Sequence, residues 1–285
     1  MKPWLLIVFY CFLLPNLIAQ QSTTIFKDRK IINSFSTETL SKHVLDFRVA
    51  HRFGDLAGEN GGWESFYGLE SAQDILIGFD YGLTDNLLIG INRTKGSGPL
   101  RMLVNTYFKY KIAGQNSVLA NPVAVSFIAM NTISTMPKSE EASAINNFPK
   151  FLHRMIHHFE MIVAKKFSPR ISLQFNVGFT HRNFVNLDDI NSILSLGGAG
   201  RFQISRAFAI LLDASIPMRF QDVEFDHTIP IGIGFEWETG GGHVFQLNFT
   251  NAGGLSETDY LSHTQSRWSD GQFRFGFTIA RQFKI

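Results

Sequence analysis

From Val44 onward, apolar and polar side chains alternate in short stretches separated by polar connections. The last stretch is the clearest. Phe273, Phe275, Phe277, Ile279, Phe283 and Ile285 fall on one parity, and Gln272, Arg274, Gly276, Thr278, Gln282 and Lys284 on the other. A period of two predicts a strand with one apolar and one polar face. With this one included, strands are predicted to start near Val44, Gln73, Asn86, Arg101, Pro122, Leu152, Arg170, Ser195, Ala207, Thr228, Gly242 and Gly271, twelve in all. In the seventh, Ile171, Leu173, Phe175, Val177 and Phe179 oppose Arg170, Ser172, Gln174, Asn176 and Arg182. The fifth and eighth stretches are less regular.

The connections sort by length. Gly82 to Asn86, Ser168 to Arg170, Ser205-Arg206 and Thr239 to Gly242 are tight and rich in turn formers, and Ala113 to Asn121 is somewhat longer. The connections between them are long and polar: Asp55 to Ala72, Thr94 to Leu100, Asn131 to Phe151, Asn183 to Leu194, Arg219 to His227 and Asn251 to Asp270. Strict alternation places the short turns at one rim and the long loops at the other. A single antiparallel transmembrane β-barrel of about twelve strands, with short periplasmic turns and long outer loops, has this layout. A soluble sandwich has no reason to sort its loops so. On the apolar faces the charges Arg93, Lys165 and Arg281 stand near strand ends, where long side chains reach the headgroups. Tyr81, Tyr110, Trp237 and Phe283 lie towards the short-turn ends, as an aromatic girdle should.

Composition agrees. The chain has 28 phenylalanines, a surplus suited to facing lipid, and a net charge of +2, so no basic field argues for nucleic acid. Residues 1–19 read as a signal peptide: Lys2, an apolar stretch from Trp4 to Leu14, then Ala19 at the expected cleavage point. Cys11 lies inside that stretch, so the mature chain is expected to lack cysteine, which excludes disulfides and thiolate chemistry. Residues 20–43 are expected to be a periplasmic N-terminal segment, docked on the rim or disordered, or a plug in the lumen, and 44–285 the barrel. Ser36 to Glu38 suggests a short helical start within the segment.

Several stretches resemble a Gram-negative bacterial family catalogued as domain of unknown function 5777. They include Phe26 to Asn33, Glu38-Thr39-Leu40, Leu45 to Gly54, Phe66 to Leu69, Tyr81 to Asp85, Val244 to Asn251 and Phe275 to Arg281. The resemblance covers nearly all of the mature chain and implies an outer-membrane β-barrel; it implies no activity. The C-terminus is similar to the signal read by the barrel-assembly machinery, matched at Thr278, Ala280, Phe283 and Ile285. Ala280 stands where that signal has glycine, and Ile285 where it has an aromatic residue. The resemblance thus implies two partners, outer-membrane lipid and that machinery; a periplasmic partner stays open.

The feature with functional reach is the polar face. Asp46, Arg48, Arg52, Asp74, Asp80, Arg101, Lys109, Arg154, Glu160, Arg182, Arg201, Asp213, Glu236, Glu238 and Arg274 are expected to face the lumen. They either line a hydrated pore or pair into a network that stiffens the barrel; twelve strands lie between filled and open sizes. Glu236 and Glu238 share one face and are better read as partners for arginine than as an acid–base pair. His153, His157 and His158 cluster without the further ligands a metal site needs. No cofactor motif is present. Trp63, Phe66, Tyr67, Tyr260 and Trp268 enrich two long loops and are expected to fold over the mouth or to bind a partner or sugar. Passive passage of small solutes is the leading expectation. The alternatives are a non-conducting scaffold holding a periplasmic or surface partner, and an outer-membrane hydrolase using a surface serine with His157 or His181. No motif selects such a pair, and no enzyme is expected.

Overall fold

The computed structural model describes residues 23–116, 121–186, 189–221, 224–239 and 243–285; the expected leader, 1–19, lies outside the described residues. A small hairpin, β1 (Lys30–Ile31) and β2 (Ser34–Phe35), precedes the barrel. The barrel strands are β3 (Val44–Phe53), β4 (Ala72–Gly82), β5 (Leu87–Thr94), β6 (Leu103–Ala113), β7 (Ala124–Ser134) and β8 (Met155–Lys166). They continue with β9 (Ile171–Arg182), β10 (Ser192–Gln203), β11 (Phe208–Met218), β12 (Ile231–Thr239), β13 (His243–Thr250) and β14 (Arg274–Lys284). Each begins within three residues of its predicted start. A helix, α1 (Glu257–His263), interrupts the loop between β13 and β14.

Every strand pairs antiparallel with its sequence neighbours, and β14 closes the cylinder on β3 from Lys284↔Val44 to Gly276↔Arg52. Closure leaves no free edge, a requirement for strands in hydrocarbon. The twelve residues of β9 span about 30 Å at the usual rise and tilt of a barrel, enough for a bilayer core. Alternation is strict along β9: Ile171, Leu173, Phe175, Val177 and Phe179 are exposed, whereas Ser172, Gln174, Asn176 and Thr180 are buried. Phe175 is 52% exposed. In water this surface would drive aggregation; against acyl chains each such side chain is favourably solvated, worth about 1.5–3 kcal/mol relative to water.

The interior is occupied from both ends. Residues 23–43 enter from the short-turn rim, rise as the β1–β2 hairpin and return to β3. The loop carrying α1 folds into the opposite mouth. Residues Ser36 to Glu38 are irregular, not the start of a helix. The backbone N–H of Ser36 donates to Arg29 O at 2.9 Å, continuing the hairpin ladder and leaving no helical geometry.

Candidate functional site

The inserted segment is amphipathic across its own width, and the bore matches it. Ile25, Phe26, Ile31 and Ile32 pack on Ala124, Ala164, Ala199 and Leu211, small or apolar residues on the inner face of β7, β8, β10 and β11. Phe35 packs on Ile128, Met130 and Ile162, with the Tyr107 ring 5.0 Å away. The hairpin tip is the two-residue turn Ile32-Asn33, with Ile32 in the left-handed region at φ 53. A β-branched residue there is strained and persists only because surrounding contacts hold it. Gly232 makes room for this tip: a Cβ there would lie 2.7 Å from Ile32 Cγ2.

Charges hold the other side. Arg29 bridges the carboxylates of Asp46 and Asp80, Nε to Asp80 at 2.9 Å, while Asp28 receives the Arg48 guanidinium, one bond at 3.0 Å. Tyr107 donates its hydroxyl to Asp80. Asp213 accepts from the Asn33 amide and from Ser34, whose N–H lies at 3.1 Å. Lys109 donates to Ser36 O at 3.1 Å, with its ammonium 5.3 Å from the centre of the Phe35 ring. Each buried charge of the segment thus meets an opposite charge on the wall, which is what permits ions in so dry a place. At the short-turn rim Thr23 N–H donates to Gln115 O at 2.9 Å, and Lys27 pairs with Glu238 at 3.0 Å. The return passes so close to β4 that a Cβ on Gly82 would sit 2.2 Å from Ser41 O. His43, at φ 63, turns the chain into β3.

The outer insert uses hydroxyls and backbone instead. Ser256 Oγ donates to Asn105 at 3.3 Å, and Thr258 and Thr132 share a hydroxyl bond of 2.9 Å. Asp259 accepts from Ser97 N–H at 2.7 Å and Gly98 N–H at 3.0 Å. Tyr260 is buried. Asp74 accepts N–H bonds from Gly96 and Leu255, both 2.8 Å. The two inserts touch. Lys30 Nζ pairs with Glu257 at 2.8 Å and donates to Leu255 O at 3.2 Å. Arg52 joins Asn33 of one insert to the carbonyls of Ala252 and Gly254 in the other. Above them Asp189 pairs with Arg182 at 2.7 Å and Arg219 at 2.8 Å. Burial raises the Asp189 pKa, but hydrogen bonds and charge from Arg219 and Arg182 outweigh it and hold the carboxyl well below its ordinary range. Beside this pair, at the outer mouth, lies a small pocket open to solvent and bordered by Leu100, Ile145, Arg182, Phe184, Phe225 and His263.

Of the residues expected in the lumen, Asp46, Arg48, Arg52, Asp74, Asp80, Lys109, Glu160, Arg182, Arg201, Asp213, Glu236 and Arg274 are buried. Three stand elsewhere. Arg101 is exposed beyond the start of β6, because Met102 at φ 58 breaks the alternation there. Arg154 ends a 3-10 turn ahead of β8, donating to Met136 O at 2.6 Å with its guanidinium 4.2 Å from the centre of the Phe148 ring. Glu238 is half-exposed at the short-turn rim. The remaining charges find partners: Arg201 with Glu236 at 2.7 Å, Asn176 donating to Glu160, and Arg274 donating to Asn251 O at 2.7 Å. The histidines separate: His158 is buried and bonds Thr180 at 2.9 Å, His157 faces outward, and His153 stacks on Phe184. Of the loop aromatics, Tyr260 is in the mouth, whereas Trp63 is 75% exposed. The residues that complete the bore, Asp28, Arg29, Asn33 and Glu257, were missed as site residues. A signal was present: Asp28-Arg29-Lys30 adjoining Ile31-Ile32 is too charged for a strand facing lipid and too apolar for a solvated leader.

Residues 26–283 match the family described as membrane bound beta barrel domain, domain of unknown function 5777. The chain belongs to this family. It is an outer-membrane β-barrel, and the matched span takes in most of the inserted segment and all of the barrel strands but the last residue of β14. No curated protein matches it. Among solved structures, the NanC porin is similar in fold: TM-score 0.51 at 9% identity, with 85% of this chain and 100% of that one covered. An outer-membrane channel from Pseudomonas putida F1 aligns with TM-score 0.48 at 15% identity, covering 88% of this chain and 100% of that one. The KdgM porin aligns with TM-score 0.48 at 6% identity, covering 85% and 99%.

Proposed function

We propose that this family member is an outer-membrane conduit for small solutes, held closed by its own N-terminal segment. The observation that carries the reading is how the segment is attached. Among the described residues, every hydrogen bond between residues 25–37 and the wall involves a side chain, and β1 and β2 ladder only with each other. The twelve-strand cylinder is complete without them, so the segment can leave while every strand pair stays formed. Removing it would bare Asp46, Arg48, Asp80, Lys109 and Asp213, a mixed-charge lining suited to hydrated polar solutes. Conductance in planar bilayers tests this. The full chain should be closed most of the time, and a chain lacking residues 20–43 should show discrete, long-lived open steps. Silence from the shortened chain, in a barrel that still migrates as folded, would sink the conduit reading.

The filled bore supports a second reading, a non-conducting scaffold whose rim or loops hold a partner. Silence from both forms would favour it.

A further inference from the structure

Outward positions on the twelve strands carry no Asp or Glu. Outward polar residues in the outer half are unevenly distributed. Across β6 to β10 they form one continuous row in register: Thr106↔Asn131, Asn131↔His157, His157↔His181 and His181↔Ser192. Arg93 on β5 stands one step further out. On β11 to β14 the corresponding region is apolar, with Ile216, Met218, Ile231, Phe249 and Phe275. The row is not simply the wet rim, because Val104, Ile133 and Met155 lie beyond it on the same face. Polar side chains placed against lipid are costly unless a partner satisfies them. Within the protein Thr106 donates to Asn131 O at 3.3 Å and His181 and Ser192 bond each other, while Asn131 Oδ1, itself screened from the surface, has no partner. Arg93 uses one nitrogen on Thr135 Oγ1, at 2.8 Å, and Met102 O, and sits exposed.

We propose that this face of β5 to β10 is a docking site for the phosphate-bearing headgroup of an outer-leaflet glycolipid. Charge complementarity selects the occupant. A guanidinium, two imidazoles and hydroxyl and amide donors, with no carboxylate among them, suit an anion, and arginine with phosphate forms strong charge-assisted bonds. Directly below the row Phe108, Phe159 and Phe179 are exposed and offer their faces to acyl chains. A headgroup above and chains below match a lipid standing in its own leaflet. The pair His181 Nδ1 and Ser192 Oγ, 2.9 Å apart, is also half of a nucleophile–base arrangement. Its in-register neighbour is a second imidazole, where an acidic orienting group would stand in a catalytic triad.

Detergent-purified full-length chain, stripped of lipid and titrated with diphosphorylated lipid A, tests the site by native mass spectrometry. The chain should retain lipid A, and should retain its dephosphorylated counterpart about tenfold less. The combined change Arg93→Gln, His157→Gln and His181→Gln should weaken retention to a similar degree while heat-modifiable migration stays unchanged. Equal retention of the two lipids by the unaltered chain overturns the proposal without needing any variant. Undiminished retention by the folded triple variant overturns it too. Displacement by millimolar inorganic phosphate would assign the site to free phosphate. Release of fatty acid, abolished by Ser192→Ala, would assign it to a hydrolase.

Discussion

The two inserts fill one bore by different physical means. The N-terminal segment is tethered at one end among the described residues, at His43, and is held by buried ion pairs on one flank and aliphatic packing on the other. The α1 loop is tethered at both ends, by β13 and β14, and is held mainly by hydroxyl bonds, by backbone donors to Asp74 and Asp259 and by arginine donors to its carbonyls, with one ion pair, Lys30–Glu257, where the inserts meet. A doubly tethered loop that leaves its seat must still close on itself outside the mouth. The hairpin segment can leave its seat without breaking any barrel ladder, because β1 and β2 pair only with each other. Ion pairs also differ from hydroxyl bonds in their response: removing one partner strands the other, so they are strong but brittle. The comparison assigns the moving part to the N-terminal segment and the stationary part to the α1 loop.

The largest expected effect separates these roles. Replacing residues 256–264 with a short Gly-Ser linker should raise conductance far less than removing 20–43, because the hairpin still fills the bore. Equal effects of the two deletions in bilayer recordings would erase the distinction. Next comes Arg29→Met, which strands Asp46 and Asp80 and should weaken the segment's seat by about 3–5 kcal/mol. Protease added to the solubilised barrel should then cleave near residue 30, where the parent chain resists. Phe35→Ala should cost about 3 kcal/mol through lost packing on Ile128, Met130 and Ile162, with the charge pairs intact. It should raise the frequency of brief openings without changing their conductance. A change in open-state conductance instead would place Phe35 in the open lining.

The smallest effect concerns the 183–191 loop at the outer mouth. The folded-state pKa of Asp189 is depressed by Arg182 and Arg219, so its contribution is present above the ordinary carboxylate pKa of about 3.9 and is lost as pH falls through the lower folded value. Proteolysis of the 183–191 loop should therefore stay constant from neutral pH down to about 4 and increase only in stronger acid. Asp189→Asn should show the loosened behaviour already at neutral pH. A loop that loosens between pH 6 and 5 would place control in another group.

Some of this is legible in the chain itself. Ile171 to Phe179 announces its lipid face because the barrel exterior asks only for an apolar side chain, and period two delivers it. Connection lengths sorted the rims because periplasmic turns and outer loops face different constraints. Arg101 was misplaced because one residue, Met102, took a positive φ and broke the parity on which the reading depended. The inserted segment resisted the same logic. It has no long period, and its apolar residues meet small partners on β7, β8 and β10 more than eighty residues away in sequence.

The sequence alone therefore determined the wall: strand number, order, direction, and which side of each strand meets lipid. Those properties depend on neighbours two residues apart and on loop length, both local. Only the tertiary structure decided what lies inside. Asp46 and Asp80 share Arg29, Asp28 answers Arg48, and Lys30 reaches Glu257 across 227 positions of chain. A charge on an inward face is equally consistent with water or with a buried partner. Desolvation makes the partner obligatory only once the fold has brought it there and excluded the water.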